Sequence, residues 1–154
     1  MASSSYCDLI ITLKNGSEIS WIGEDGSSPF FQVPRNAKKT LILMSSLEDL
    51  KSFILDCASV YEDPEAAKEL YKDWCKDFDK ELNTIKSFED IKSFYLGWGE
   101  FDPEEGFPVK EFSTGESIEF DFETKKCKKK TTPNKDFIKE MTEIYGDLFD
   151  EFEN

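Results

Sequence analysis

Residues 8–22, DLIITLKNGSEISWI, contain two β-rich runs on either side of an Asn-Gly pair. Asn15 and Gly16 both accept positive φ, so the two runs are expected to pair as a tight antiparallel hairpin. Two further apolar runs follow: residues 30–33 predict a short edge strand, and residues 40–44 predict a buried strand. The first quarter of the chain therefore predicts a small antiparallel sheet.

Helical periodicity begins at Ser46. Ser46 followed by Glu48 and Asp49 is typical of a helix N-terminus, because the hydroxyl accepts a free backbone N–H and acids are favoured at the positive end of the helix dipole. The apolar residues of this predicted helix share one face: Leu47, Leu50, Phe53, Ile54 and Cys57.

A second helix is predicted with Asp63 as N-cap, Pro64 as its first residue and Leu82 near its end. Acids, lysines and apolar residues each recur every four positions, which predicts an amphipathic helix packed on the sheet. The rows are Glu65, Glu69, Asp73, Asp77 and Glu81; Lys68, Lys72, Lys76 and Lys80; and Ala66, Leu70, Trp74, Phe78 and Leu82. Because each of the first four acids has a lysine three residues later, we expect ion pairs that largely cancel the charge of this face.

Residues 87–94, SFEDIKSF, repeat the pattern of residues 46–53, SLEDLKSF, and are predicted to form a third, short helix. The repeat fits either an internal duplication or two separate helix-capping sequences. A final helix is predicted from Pro133, with Thr132 as its N-cap. Its apolar positions recur at helical spacing, so we expect it to dock on the core: Phe137, Ile138, Met141, Ile144, Tyr145, Leu148, Phe149 and Phe152.

A second hairpin is predicted from residues 109–112 and 117–124, after an aromatic and acidic loop at 97–108. The return strand alternates apolar and acidic side chains, with Ile118, Phe120 and Phe122 on one face and Glu119, Asp121 and Glu123 on the other. The sequence thus predicts one α+β domain over residues 1–154, with a small antiparallel sheet packed by three to four amphipathic helices.

Composition excludes several classes of function. The chain has 19 basic and 33 acidic residues, a net charge of -14 and no histidine. Without histidine there is no Ser-His-Asp or Cys-His catalytic set, no His-ligated zinc and no imidazole pH switch. The acidic balance argues against nucleic acid or an anionic membrane as a direct partner, since each phosphate contact needs a cation. No segment predicts a signal peptide or a membrane span, so we expect a cytoplasmic protein, with a monomer as the default.

Four cysteines occur without metal-site or redox spacing, so free and mostly buried thiols are expected: Cys7, Cys57, Cys75 and Cys127. The alternative for Cys127 is a reactive thiol, because the lysines around it would lower its pKa. We interpret the lysine run at 125–130 as neutralising an acidic patch or protecting a strand edge, with nucleic-acid contact as the alternative. No calcium loop, phosphate loop or nucleophile elbow occurs, so no metal or cofactor is expected.

The acidic residues accumulate toward the C-terminus: the net charge is -2 over residues 1–50, -5 over 51–100 and -7 over 101–154. Regularly spaced carboxylates beside aromatic side chains suit a basic groove that normally holds nucleic acid. The candidate partner-binding residues are Glu100, Asp102, Glu104, Glu105, Glu119, Asp121, Glu123, Glu143, Asp147, Asp150, Glu151 and Glu153, with Trp98 and Phe101 as aromatic anchors. Packing of these aromatics on the core is the alternative.

These residues predict a small acidic inhibitor that mimics nucleic acid and blocks the basic surface of a partner, a nucleic-acid-processing enzyme. Phage anti-defence, against CRISPR or restriction systems, and toxin immunity are the expected settings. A structural or scaffold subunit that uses its apolar faces is the alternative. An enzyme that uses carboxylates, such as Glu104 and Glu105, or a divalent metal is a third class, and we expect no catalysis.

Overall fold

The computed structural model describes residues 4–24, 29–60, 62–101 and 114–132. In these residues the fold is α+β, as predicted, with a five-stranded antiparallel sheet of order β2-β1-β3-β4-β5. The strands are β1 (Ser4–Leu13), β2 (Glu18–Glu24), β3 (Ile91–Phe101), β4 (Thr114–Asp121) and β5 (Lys126–Thr132). The helices are α1 (Ala37–Leu43), α2 (Leu47–Ala58), α3 (Pro64–Trp74) and α4 (Lys76–Leu82), and a 3₁₀ turn spans Phe88–Asp90.

The core lies between the helices and one face of the sheet. Alternate strand residues are buried there, because successive side chains of a strand point to opposite faces. In register across the three central strands they are Leu9, Leu96 and Ile118, and then Ile11, Phe94 and Phe120. Phe53 of α2 packs edge-to-face on Phe94, with ring centroids 5.2 Å apart, and so joins the helices to β3.

The N-terminal hairpin forms as predicted, with a four-residue connection between β1 and β2. Gly16 has φ 90°, whereas Asn15 keeps a negative φ. The Asn15 side chain instead accepts the backbone N–H of Ser17 at 2.9 Å. The Asn-Gly pair therefore specifies the turn through one left-handed glycine and one side-chain hydrogen bond.

The two further strands predicted in the first quarter are absent from the described residues. Residues 30–33 form no strand, and the backbone N–H of Gln32 donates to the Cys57 carbonyl at 3.0 Å instead of joining the sheet. Residues 40–44 belong mostly to α1, where Leu41 is buried and Leu43 is 69% exposed. A short apolar run does not distinguish a strand from a helix, and here only one helical stripe contacts the core.

Helix α2 begins at the predicted cap. Ser46 Oγ accepts the Asp49 N–H at 3.1 Å, and the Asp49 carboxylate accepts the Ser45 N–H at 3.0 Å. The N-cap of α3 is also confirmed, since Asp63 Oδ1 accepts from Glu65 and Ala66 at 3.1 and 3.0 Å. These local signals are reliable because they satisfy backbone donors that the helix itself leaves free.

The second predicted helix is broken at Cys75, which has φ -110° and ψ 28°. A row at spacing four advances by about 40° per step around a straight helix, so it moves off the core face over four steps. The break realigns the row: Phe78 and Leu82 of α4 are buried, while Trp74 at the end of α3 is 64% exposed. The predicted pairs of acids and lysines on this face are not formed among the described residues. The ion pair found there, Lys14–Glu123, lies elsewhere in the fold.

The prediction of a third helix is wrong. Residues 87–94 form the 3₁₀ turn and the start of β3, with Ser87 as the cap of the turn. The second hairpin is also shifted, since it joins β4 to β5 through a turn at 122–125. The predicted strand at 109–112 and the predicted helix from Pro133 lie outside the described residues.

The four cysteines are free, with Cys7, Cys57 and Cys75 buried and Cys127 half-buried. Burial raises the pKa of the Cys127 thiol, and it outweighs the lowering by Lys38 and Lys129. The raised pKa favours the expected free thiol over the reactive-thiol alternative for Cys127. Burial also raises the pKa of Cys7 to about 11.

Candidate functional site

The chain segments with the greatest excess of acid adjoin the strand termini at one end of the sheet. The register places the start of β1 beside the end of β3, with Ser4 opposite Phe101. Glu24 of β2, Thr114 of β4 and Thr132 of β5 lie at this same end, since their partners are Tyr6, Glu100 and Gly115. Residues 25–28, 102–113 and 133–154 all continue from it. We call it the acidic end, defined by Ser4, Glu24, Phe101, Thr114 and Thr132.

The charge of the chain divides unevenly about this end. The described residues contain 21 acidic and 16 basic side chains, a net of -5. The segments 25–28, 102–113 and 133–154 contain 12 acidic and 3 basic side chains, a net of -9 out of -14. Most of the surplus acid therefore belongs to segments that adjoin strand termini at this end of the sheet.

The register separates two groups of predicted site residues. Glu100, Phe101 and Trp98 belong to the last four residues of β3, at or near the acidic end. Asp121 is the last residue of β4, seven positions from Thr114, which corresponds to about 23 Å of strand. The remaining predicted residues lie outside the described ones: Asp102, Glu104, Glu105, Glu143, Asp147, Asp150, Glu151 and Glu153.

Glu119 and Asp121 lie directly beside lysines. Their register partners on β5 are Lys128 and Lys126. Opposite charges at facing positions of antiparallel strands attract each other and reduce the external field. The acidic stripe predicted on β4 is thus flanked by a basic one.

The lysine run at 125–130 lies largely in β5, an edge strand of the sheet. Lysine is a poor strand former, so its propensity gave no sign of a strand here. On an edge, however, lysines oppose pairing with another chain. The structure thus supports the interpretation that the run protects an edge.

Asp121 has a structural task in the turn between β4 and β5. Its Oδ1 accepts the backbone N–H groups of Glu123 at 2.8 Å and Thr124 at 3.1 Å. These hydrogen bonds, from Thr124 first and then Glu123, lower the pKa of the Asp121 carboxyl below its ordinary value of 3.8. Glu123 lies in the turn itself, beyond β4, and its carboxylate is 3.9 Å from Lys14 Nζ.

Replacing Asp121 with alanine is expected to lower the urea midpoint of unfolding at pH 7, because the turn loses its acceptor. A depressed pKa stabilises the fold above the ordinary pKa and stops doing so as pH falls through the folded-state value. The difference between the variant and the wild type should therefore shrink below about pH 4. Asp73→Ala, on the exposed face of α3, is the control; an equal midpoint shift in both variants would contradict this role.

Trp98 packs on the core. It lies on the helix-facing side of β3, opposite Cys7 of β1 and Glu116 of β4, and it is partly buried against the core cluster. The core-packing alternative for this aromatic therefore fits its position better than a free-standing anchor. The side chain of Phe101 lies outside what the structure describes.

Sequence reasoning missed two acids of the strands near the acidic end. Glu24 is the last residue of β2, and Glu116 is the third residue of β4. Nothing in the local sequence separates them from other scattered acids. Only the pairing of Glu24 with Tyr6 and of Glu116 with Trp98 shows that they lie near one sheet end.

Comparison of the chain with protein-family models, with curated proteins and with solved structures gives no match. Among the described residues, no group of three or more cysteine, aspartate and glutamate side chains is arranged to hold a metal ion. No helix in the same residues has the length and apolar character needed to cross a membrane.

Proposed function

We propose that this protein is a small acidic inhibitor that uses the acidic end to dock on a basic, nucleic-acid-binding surface of a partner enzyme. The observation that supports the proposal is that the segments carrying -9 of the net charge of -14 all adjoin strand termini at one end of the sheet. The described residues carry the other -5.

This distribution of acid along the chain favours association with a basic groove. Charge concentrated at one end of a folded body orients the approach to an oppositely charged surface, and association can reach about 10⁸ to 10⁹ M⁻¹s⁻¹ at low salt. A groove built for nucleic acid presents lysine and arginine to phosphates, and closely spaced carboxylates offer it a substitute. A role in phage anti-defence or toxin immunity follows from blocking such a groove.

The test compares two charge-reversed variants with the same net charge. The first carries Lys in place of Asp102, Glu104 and Glu105, which follow Phe101 by at most four residues. The second, the matched control, carries Lys in place of Glu18, Glu81 and Glu89, which are exposed and belong to β2, α4 and the 3₁₀ turn. Partners are selected from proteins that elute from a DNA column, then purified and measured individually by calorimetry.

We expect the acidic-end variant to bind a purified partner at least tenfold more weakly in 50 mM salt, and the control to stay within about twofold. Duplex DNA should compete with the wild type, and affinity should fall with salt. Equal weakening of both variants would contradict docking through the acidic end. Self-association that persists in high salt, with no DNA-binding partner, would favour the scaffold alternative instead.

A further inference from the structure

An open cleft of about 530 Å³, lined in part by lysines, lies at the bend between α3 and α4. Its residues are Tyr71, Lys72, Lys76, Asp79, Lys80 and Asn83. The cleft exists because the chain bends at Cys75, which carries Lys72 on α3 and Lys76 and Lys80 on α4 to its rim. A single straight helix, as the sequence predicts, would offer only a convex surface.

Within the described residues, the three lysines form no ion pair with an acid. The spacing predicts that Glu69, Asp73 and Asp77 pair with them, yet within the described part of the chain none of the three lysines has a carboxylate within ion-pairing distance. Their ammonium groups are exposed around the cleft. Lys76 and Lys80 of α4 are four residues apart, about 6 Å along the helix axis.

Asp79, which lines the cleft, accepts hydrogen bonds from two neighbouring side chains. Tyr71 donates its hydroxyl to Asp79 Oδ1 at 2.8 Å, and the Asn83 side-chain amide donates to Asp79 Oδ2 at 3.1 Å. Lys51 in turn donates its ammonium to Asn83 Oδ1. Burial and the bond to Asp79 raise the pKa of Tyr71, so its hydroxyl remains a donor at neutral pH. Each oxygen of Asp79 thus accepts a hydrogen bond from a neutral donor, and within the described residues the three lysines pair with no carboxylate.

We propose that this cleft binds a small anion carrying two or more phosphate groups. Lysine binds phosphate as a point charge, and three of them around one cleft suit an anion with several phosphate groups better than a single carboxylate. The volume lies within the range of about 300 to 1,000 Å³ that is typical of small-molecule sites. The residues that line the cleft include none of those that define the acidic end, and the proposal goes beyond the proposed function without depending on it.

The test titrates the whole chain with inorganic triphosphate by calorimetry in 50 mM NaCl without divalent cations. The site variant is Lys72→Ala with Lys76→Ala. The matched control is Lys68→Ala with Lys86→Ala, which removes the same charge from exposed positions outside the lining. Amide chemical shifts recorded with ¹⁵N label locate the binding and show that the variants remain folded.

We expect saturable binding of one triphosphate, a loss of at least tenfold in the site variant, a change within about twofold in the control, and tighter binding than for inorganic monophosphate. The shifted amides should belong to residues around Tyr71, Asp79 and Asn83. No saturable binding, equal weakening in the control, or shifts elsewhere in the chain would overturn the proposal.

Discussion

Replacing Phe94 with alanine is expected to lower the free energy of unfolding by about 3 to 5 kcal/mol. Phe94 is fully buried in the central strand, between Ile11 of β1 and Phe120 of β4 in register. It also carries the edge-to-face contact with Phe53 of α2. Its truncation therefore leaves a cavity where the sheet and the helices meet. Domains of this kind are stable by only about 5 to 15 kcal/mol, so much of the total would be lost.

Urea denaturation followed by circular dichroism measures this loss. Phe94→Leu keeps an apolar side chain in place and should cost clearly less than the alanine variant. Tyr95→Ala is a second control, because the neighbouring side chain points to the other face of β3 and is half-buried. If Phe94→Ala and Tyr95→Ala had equal effects, the assignment of the two faces of β3 would be contradicted.

Replacing Gly115 with alanine is expected to destabilise the fold by about 3 kcal/mol, at the upper end of the usual cost of overpacking. A Cβ at Gly115 would lie 2.9 Å from the Cα of Gly99 and closer still to the Trp98 carbonyl oxygen. Both neighbours are backbone atoms of β3, so relief requires the paired strands to separate. The loss should appear as a lower urea midpoint.

Gly97→Ala is the matched control for this position. Its Cβ would meet the ring and hydroxyl of Tyr95, a side chain that can turn away. We expect a smaller loss, and one that largely disappears when Tyr95 is also replaced by alanine. Gly115→Ala should gain no such relief from Tyr95→Ala. A Gly115→Ala variant as stable as the wild type would mean that β3 and β4 do not approach each other as described.

The candidate site could be predicted from sequence only in its charge. The accumulation of acid toward the C-terminus is visible residue by residue, and so is the alternation that buries Ile118 and Phe120. The sequence did not predict which of these acids lie close together in the fold. Asp121 resembles Glu100 in sequence, yet it caps a turn about 23 Å along the sheet from the acidic end. Strand register, which depends on distant partners, decides which acids share a surface.

The lysines illustrate the same limit. In the sequence, Lys72 and Lys76 belong to a regular helical row whose charge neighbouring acids cancel. The break at Cys75 turns them toward one cleft instead. The lysines of β5 resemble a loop or a basic island, but pairing with β4 makes them a strand edge. Neither the helix break at Cys75 nor the pairing of β5 with β4 has a clear signal in the neighbouring sequence. At both places the intrinsic preferences of the residues suggest a different structure.

Features with local physical causes are visible in the sequence alone. Ser46, Asp63 and Ser87 cap turns because their side-chain oxygens accept nearby free N–H groups. Gly16 closes the first hairpin because it tolerates a left-handed φ, and the net charge follows directly from the composition. These effects operate over a few residues or need no structure.

The two copies of the repeated octapeptide, by contrast, differ because of their tertiary contacts. SLEDLKSF at 46–53 continues into α2, whereas SFEDIKSF at 87–94 turns once and enters β3. The second copy is followed by two glycines, each costing a helix about 1 kcal/mol, and it lies between β1 and β4, which pair with its backbone on both sides. Phe53 and Phe94, the last residues of the two copies, then meet in the core. A capping sequence can start a turn, but hydrogen bonds from distant strands determine whether the chain continues as a helix or as a strand.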